Sequence, residues 1–274
     1  MLDDLAALGP FFAVGSHEPG ATPVAPWRLA SELTEPGGAL RERVAAVRSA
    51  LAAQPGGASR AVDDVDPRVA ASVTHLGLVA RLIAPALGAA VIVHRIDMRL
   101  ETLWWQDTLG GPVPLSVPLP LSPPVQADAP PSAPAPAGAS LAEPGRAAAV
   151  AHRFLDEVIA PVTRATREVV PVSSRVLWGN VASGINSAAR QAAVGEPDLA
   201  ARAWRAAGDW FASPLLGGER QPPGPDFRRS SCCLIYRVAP GGPAAVCGDC
   251  VLNARPARPG RGARGARSQG WEPS

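Results

Sequence analysis

The chain has 274 residues, which is enough to bury one large core or two modest ones. Its hydrophobic content of 47% and charged content of 18% exclude a predominantly disordered protein. The net charge of +2 is concentrated at one end, because residues 255–274 carry five arginines and one glutamate. The rest of the chain is slightly acidic, so we expect no basic face for a specific nucleic acid.

The first residues, MLDDLAALGPFFAVG, carry two acids where a secretory signal needs basic residues, so we expect a cytoplasmic protein. The most apolar stretch, residues 76–93, is interrupted by Arg81 and contains Pro85. We predict a buried helix that runs into a strand there, and we do not expect an integral membrane protein.

Two helices and a pair of strands are predicted in the N-terminal half. Residues 39–54 place apolar side chains on one helical stripe, and a second helix begins at Asp66, a good capping residue, with Pro67 at its first position. Beyond residue 91, VIVHRIDMRLETLWWQ and PVPLSVPLPL are β-branched or alternating, which predicts two paired antiparallel strands. The prolines in the second strand predict that it lies at a sheet edge.

A segment rich in proline, alanine and serine, residues 122–145, divides the chain and is predicted to be a flexible linker. Residues 1–121 hold the helices and the hairpin, and residues 146–252 hold further helices and all the cysteines. The three later helices are predicted at 146–168, 174–193 and 197–212. Neither half is rich in large apolar residues, so we expect the two to complete one fold. Residues 253–274 are predicted to be a disordered, arginine-rich tail.

All four cysteines lie within nineteen residues, in CCLIYRVAPGGPAAVCGDC, at Cys232, Cys233, Cys247 and Cys250. The run LIYRV is strand-like and APGGPAA is rich in turn residues, so we predict a hairpin that folds the second cysteine pair back onto the first. Because a reducing compartment keeps disulfides open, four converging thiolates favour a metal.

Several metal chemistries are compatible with this spacing. Zinc sites usually pair two C-x2-4-C knuckles, whereas neighbouring cysteines are a poor chelate for one ion because successive side chains of an extended backbone diverge. Two diverging sulfurs suit a larger object, such as an iron–sulfur cluster held by four thiolates. The spacing alone leaves a cluster, a structural zinc ion, and disulfides or free thiols all open.

The run RRSSCCLIYRVAPGGPAAVCGDCVL, residues 228–252, resembles the signature of the FhuF-like ferric-siderophore reductases, whose C-C-x10-C-x2-C pattern binds a [2Fe-2S] cluster. The resemblance implies that the four cysteines are the cluster ligands. Thirteen residues separate Cys233 from Cys247, three more than in that pattern, and a hairpin tip can lengthen by this much at small entropic cost. LWGNVASGI, residues 177–185, resembles a Trp-Gly-Asn stretch that those proteins carry on a helix.

The resemblance implies a cytoplasmic enzyme that reduces siderophore-bound Fe(III), so that the metal leaves as Fe(II). The chain has no flavin or nicotinamide fingerprint, so we expect a separate electron donor. No catalytic residue is predicted beyond the cluster ligands. Trp178 and Asn180 are candidate substrate residues from the matched stretch, and Arg229 and Arg237 from their proximity to the cysteines.

The predicted fold class is α+β and mainly helical: a helical scaffold with a short antiparallel β-hairpin and a C-terminal cysteine hairpin that holds a metal cluster. Two alternative functions are open at this point. One is a zinc-stapled interaction protein that recruits partners through its tail and linker. The other is an iron–sulfur sensor that does not turn over siderophore.

Overall fold

The computed structural model describes residues 1–36, 38–53, 60–94, 96–119, 145–239 and 246–254. Its α-helices are Leu2–Ala7 (α1), Ala39–Ala52 (α2), Pro67–Val91 (α3), Arg146–Phe154 (α4), Ala160–Val169 (α5), Ser174–Gly195 (α6) and Ala200–Phe211 (α7). A π-helical turn, Leu155–Ile159, joins α4 to α5. The strands are Gly15–His17 (β1), Arg28–Leu29 (β2), Trp104–Trp105 (β3) and Leu115–Pro118 (β4). The mainly helical α+β class is confirmed.

Helices α3 and α6 form the centre of the structure. Helix α3 begins where the sequence predicts, since the Asp66 carboxylate accepts a hydrogen bond from the Arg68 backbone N–H at 2.9 Å. It packs most extensively against α6. At the crossing, Gly184 faces the Ala80 backbone and the Ile83 side chain, and even a Cβ atom there would lie 3.3 Å from Ile83. Small residues thus bring the two helices into close contact.

Helix α3 is also the one helix in the described part of the chain that is long and apolar enough to cross a membrane. Of its most apolar window, 72% is buried inside the fold. Arg81, in its middle, is buried as well and donates hydrogen bonds to the carbonyls of Val113, Phe11 and Ala13. The prediction of a buried helix at the interrupted apolar stretch is therefore confirmed.

The larger hydrophobic core draws residues from both sides of the proline-rich segment. Phe12, Ile83 and Trp105 come from the N-terminal side, and Ile159 and Ile185 from the C-terminal side. A smaller core lies beneath α2 and the start of α3, and Leu177 and Val238 complete it. The predicted linker falls almost wholly on residues 120–144, and the predicted tail on 255–274, which lie outside the described residues.

The predicted pairing of two strands is confirmed, but both strands differ from expectation. β3 and β4 are antiparallel, with Trp104 opposite Ser116. The first strand is only two residues long. Helix α3 continues to Val91, and the chain then forms a turn in which the Leu103 N–H donates to the Arg99 carbonyl. The prediction of an extended strand from residue 91 is therefore wrong for most of its length.

The predicted edge position of the second strand is also wrong. The sheet order is β1-β4-β3-β2, so β4 is internal and pairs in parallel with β1. Its prolines fall at the ends of the paired stretch: Pro114 precedes the strand and Pro118 is its last residue. The next N–H, that of Leu119, bonds to the His17 carbonyl at 2.9 Å, so the ladder continues beyond the residue that lacks a donor.

Candidate metal centre

The two cysteine pairs lie in tight turns beside the N-terminal half of α6. Leu234 has a left-handed backbone with φ of 71°, which is uncommon for a residue with a side chain. The chain therefore turns sharply after Cys233 and enters the 3₁₀ turn Ile235–Arg237. The prediction of a strand at residues 234–238 is wrong, and the predicted hairpin tip falls on residues 240–245, outside the described chain.

A similar backbone arrangement supports one cysteine of each pair. The Leu234 N–H donates to the Cys232 Sγ atom at 3.3 Å, and the Leu252 N–H donates to the Cys250 Sγ atom at 3.4 Å. In each case the donor lies two residues after the cysteine. Hydrogen bonds of this kind stabilise thiolates and contribute to the potential of a cluster that they hold.

The other two thiols lie close to each other, with 3.8 Å between the Sγ atoms of Cys233 and Cys247. The hydrogen bond from Cys247 is the largest cause that lowers the pKa of Cys233 to about 6, and the Arg229 charge acts in the same direction. The same pairing raises the pKa of Cys247. Cys233 is thus the thiol of this pair that becomes the thiolate, which is the metal-binding form.

The site has a buried and a partly exposed side. Cys233 and Cys250 are each only 1% exposed, whereas Cys232 and Cys247 are partly exposed. Among the described residues, which include all four cysteines, no group of three or more His, Cys, Asp or Glu side chains is arranged to hold a single ion. The structure thus brings one close pair of thiols, Cys233 and Cys247, and two further sulfurs to the same part of the scaffold.

A buried hydrogen-bond network anchors the first cysteine pair to α3 and α6. Ser72 Oγ donates to the Cys233 carbonyl at 2.8 Å. Asn180 Nδ2 donates to the Ser72 carbonyl at 3.0 Å, and Arg229 Nη2 donates to Asn180 Oδ1 at 2.5 Å. Successive hydrogen bonds thus join the Cys233 carbonyl to α3, α3 to α6, and α6 to Arg229 in the segment before the cysteines.

A second set of contacts holds the CGDC loop against the same scaffold. The Arg229 backbone N–H bonds to the Asp249 carbonyl at 3.1 Å, and Ser183 Oγ on α6 donates to the Asp249 carboxylate at 2.5 Å. Arg228 Nη1 donates to the Gly248 carbonyl at 2.9 Å. Both cysteine segments therefore use residues 228–229 and helix α6 as a common support.

His75 extends the network on its inner side. Its Nδ1 atom lies 3.5 Å from Asn180 Nδ2, and its Nε2 atom lies 3.0 Å from Thr163 Oγ1. Burial, followed by the charge of Arg229, lowers the pKa of His75 to about 3. The neutral ring accepts from the Asn180 amide and donates to Thr163, so it serves as a structural histidine.

Close packing against the segment before the cysteines explains why the Trp-Gly-Asn stretch has a glycine at position 179. The glycine faces Ser231, whose Oγ atom donates to the Arg175 carbonyl at 2.8 Å. A Cβ atom at position 179 would clash severely with Ser231 Oγ and would lie 3.3 Å from Arg229 Nη2. A glycine inside a helix costs about 1 kcal/mol relative to alanine, and here it permits the cysteine segment to lie directly on α6.

Arg229 is a buried cation with an incomplete set of partners. Its side chain is 1% exposed, and its Nε and Nη1 atoms have no hydrogen-bond acceptor among the described residues. No ion pair joins it to a carboxylate in the described part of the chain, and the uncompensated burial of a charge costs several kcal/mol. An anionic cluster bound by the cysteine thiolates would supply the missing negative charge, so this residue fits the cofactor that the cysteines imply.

The four predicted substrate residues occupy different environments. Asn180 is fully buried, as is Arg229, and both bond within the protein, so their positions favour support of the cysteine segments over contact with a ligand. Trp178 is partly buried and packs on the larger core. Arg237 is an exposed residue whose Nη1 atom bonds to Asp66 at 3.0 Å. A substrate role for Trp178 and Arg237 stays a prediction.

Sequence reasoning missed Ser72, Ser183 and Asp249. Both serines lie on the buried faces of long helices, where the surrounding pattern is apolar and gives no sign of a polar contact. The one available signal was the glycine at position 179, because a glycine within a helix often marks a close approach of another chain segment.

The fold and the site define a class: a helical scaffold that supports a C-terminal four-cysteine centre. Residues 229–252 match the family described as FhuF 2Fe-2S C-terminal domain. This match supports membership of the FhuF-like family through its C-terminal domain and confirms the resemblance predicted from the cysteine pattern. The match covers the cysteine segment and not the helices that support it. No curated protein and no solved structure matches the chain.

The close approach at Gly179 predicts that Gly179→Ala prevents normal assembly of the metal centre, because the added methyl group must displace Ser231 and the cysteine segment. We expect iron bound per chain to fall at least fivefold relative to the unaltered protein. Gly208→Ala, at an exposed glycine of α7 with no neighbour within 4 Å of its added Cβ, is the matched control. It should retain full iron content and gain about 0.5–1 kcal/mol in free energy of unfolding. Equal iron in both variants would contradict this role of Gly179.

The burial of Arg229 predicts that Arg229→Gln lowers the reduction potential of the bound cofactor. Reduction adds negative charge, and the variant lacks the buried cation that would stabilise this charge. We expect at least a tenfold shift of the one-electron equilibrium, which corresponds to about 59 mV in an optical redox titration. Arg237→Gln is the control, since Arg237 is 47% exposed and solvent screens its charge. A potential that moves equally in both variants, or in neither, would remove Arg229 from control of the potential.

Proposed function

We propose that the protein is a cytoplasmic ferric-siderophore reductase that carries a [2Fe-2S] cluster on Cys232, Cys233, Cys247 and Cys250. The observation that supports this most directly is the match of residues 229–252 to a 2Fe-2S domain, in a segment whose thiols lie beside a buried, unbalanced arginine. The substrate is Fe(III) bound by a siderophore, and the product is Fe(II), which the hard oxygen donors of a siderophore hold less strongly.

The bound cofactor would supply a one-electron carrier, as this reaction requires. The chain contributes the ligands and their surroundings. Cys233 and Cys250 are buried against the scaffold, and the N–H donors of Leu234 and Leu252 stabilise sulfur in its negative form. The buried side keeps water away from the centre, and the partly exposed side, at Cys232 and Cys247, provides the route by which an electron leaves.

The exposed side also carries arginine side chains that could attract an anionic ferric complex. Arg228 is partly exposed and lies on the Gly248 carbonyl, one residue after Cys247. Arg237 is exposed in the 3₁₀ turn that follows Cys233. We therefore place substrate approach at this edge, with Trp178 as a further candidate on α6. An electron donor separate from the chain completes the cycle.

The proposed reaction predicts rapid formation of Fe(II) when chemically reduced protein, freed of excess reductant, meets a ferric trihydroxamate or a ferric tricatecholate under anaerobic conditions. A chromophoric Fe(II) chelator in the assay would report the product. We expect one Fe(II) per cluster in a single turnover with at least one of the two complexes, and loss of this reaction in Cys250→Ser protein that has lost its cluster.

Oxidised protein that was never reduced is the control for iron released without electron transfer. A protein with a full cluster that reduces neither complex faster than this control would contradict the reductase function while leaving the cofactor in place, as a sensor would require. A protein that contains zinc alone would contradict both.

A further inference from the structure

The two pairs of neighbouring cysteines in the sequence are not the pairs that lie together in space. Cys233 and Cys247 come from different segments, and their Sγ atoms are 3.8 Å apart. For a tetrahedral metal with metal–sulfur bonds of about 2.3 Å, two thiolates on the same ion lie about 3.8 Å from each other. The observed separation is therefore the one expected for two ligands of one metal ion.

The remaining thiols, Cys232 and Cys250, come one from each segment and are left for a second metal ion. Each accepts a backbone N–H from the residue two positions later. In the described chain no third ligand joins Cys233 and Cys247 in a single-ion site. The geometry thus shows one pair built from both cysteine segments and leaves one thiol in each segment for the other metal ion.

We propose that Cys233 and Cys247 bind one iron of the cluster and that Cys232 and Cys250 bind the other. The inference rests on the [2Fe-2S] cofactor of the proposed function and adds the assignment of ligands to irons. Each iron then takes one ligand from the segment at 232–233 and one from the segment at 247–250. Neither segment supplies both ligands of one iron, so each iron links the two segments to each other.

This assignment agrees with the backbone around the cysteines. Ser72 fixes the Cys233 carbonyl to α3, and the left-handed Leu234 turns the chain away immediately afterwards. Ser183 fixes Asp249, next to Cys250, to α6. Both segments are thus held by the packed helices α3 and α6 and by residues 228–229, through contacts that lie outside the loop between Cys233 and Cys247.

The first test uses cluster-free protein and measures disulfide formation. Four double Cys→Ser variants each leave one thiol in each segment. Cys232→Ser with Cys250→Ser leaves the proposed pair Cys233 and Cys247, and Cys233→Ser with Cys247→Ser leaves the other proposed pair. The two remaining combinations leave mismatched pairs. Diamide oxidises two thiols to a disulfide, and its azo group takes up the two electrons and two protons.

We expect the two proposed pairs to form their intramolecular disulfide at least tenfold faster than the two mismatched pairs, as measured by mass spectrometry of quenched samples. Mismatched pairs that react as fast as the proposed pairs would overturn the assignment. Circular dichroism of each cluster-free variant identifies any that has lost its helices, and the second test below covers that case.

The second test uses cluster-loaded protein with each cysteine changed singly to serine. A reduced [2Fe-2S] cluster has two inequivalent irons, so a serine on one iron shifts the electron paramagnetic resonance spectrum and the potential differently from a serine on the other. We expect Cys233→Ser and Cys247→Ser to form one group and Cys232→Ser and Cys250→Ser to form another. Effects that group Cys232 with Cys233, or Cys232 with Cys247, would overturn the assignment.

The two tests separate failure of this inference from failure of the proposed function. Disulfide formation needs neither iron nor siderophore, and the spectra need a cluster but no turnover. Protein with zinc and no iron would refute the cofactor and with it the assignment to irons. A cluster with the wrong grouping would refute the assignment alone.

Discussion

The hydrogen bond from Ser72 to the Cys233 carbonyl connects the cysteine segment to the helix at the centre of the fold. Ser72 lies on α3, 161 positions earlier in the sequence, and Asn180 on α6 binds the same serine. The close packing of α3 on α6 therefore sets where the first cysteine pair lies. Because Gly179 leaves room for Ser231, the segment before the cysteines rests directly on α6.

Charge is the second organising constraint of the site. The scaffold buries Arg229 between Asn180 and the cysteines without a carboxylate partner in the described residues, and it buries two thiols nearby. A buried arginine without an anion is unfavourable, and so are buried thiolates without a cation. The positive charge of Arg229 and the negative charge of a thiolate-bound cluster would offset each other. A cluster bound there would therefore stabilise the C-terminal segment.

The sequence predicted the long helices well, and for clear physical reasons. Helices such as Pro67–Val91 have a cap, a proline at the first position and a continuous buried face, all of which are local signals. The four cysteines are the only thiols in the chain and stand together. The strands were predicted less well, because the internal position of β4 depends on β1, a three-residue strand about a hundred positions away that carries no alternating pattern of its own.

The contacts that support the cysteine segments could not be predicted from local pattern. Ser72 and Ser183 become functional only when two helices and a turn meet, and an isolated serine on an apolar helix face does not indicate such a meeting. The pairing of Cys233 with Cys247 is similar, since sequence neighbours suggest Cys232 with Cys233 and Cys247 with Cys250. A left-handed Leu234 within a strand-like run changes the course of the chain, and apolar composition does not reveal it.

The most direct test of the central claim is metal and sulfide analysis of anaerobically purified protein, together with its electron paramagnetic resonance spectrum after reduction with dithionite. A [2Fe-2S] centre predicts about two irons and about two acid-labile sulfides per chain, and a rhombic S = 1/2 signal in the reduced state. One zinc per chain with no sulfide and no signal would contradict the account, and would mean that the four cysteines hold the C-terminal segment in place without redox chemistry.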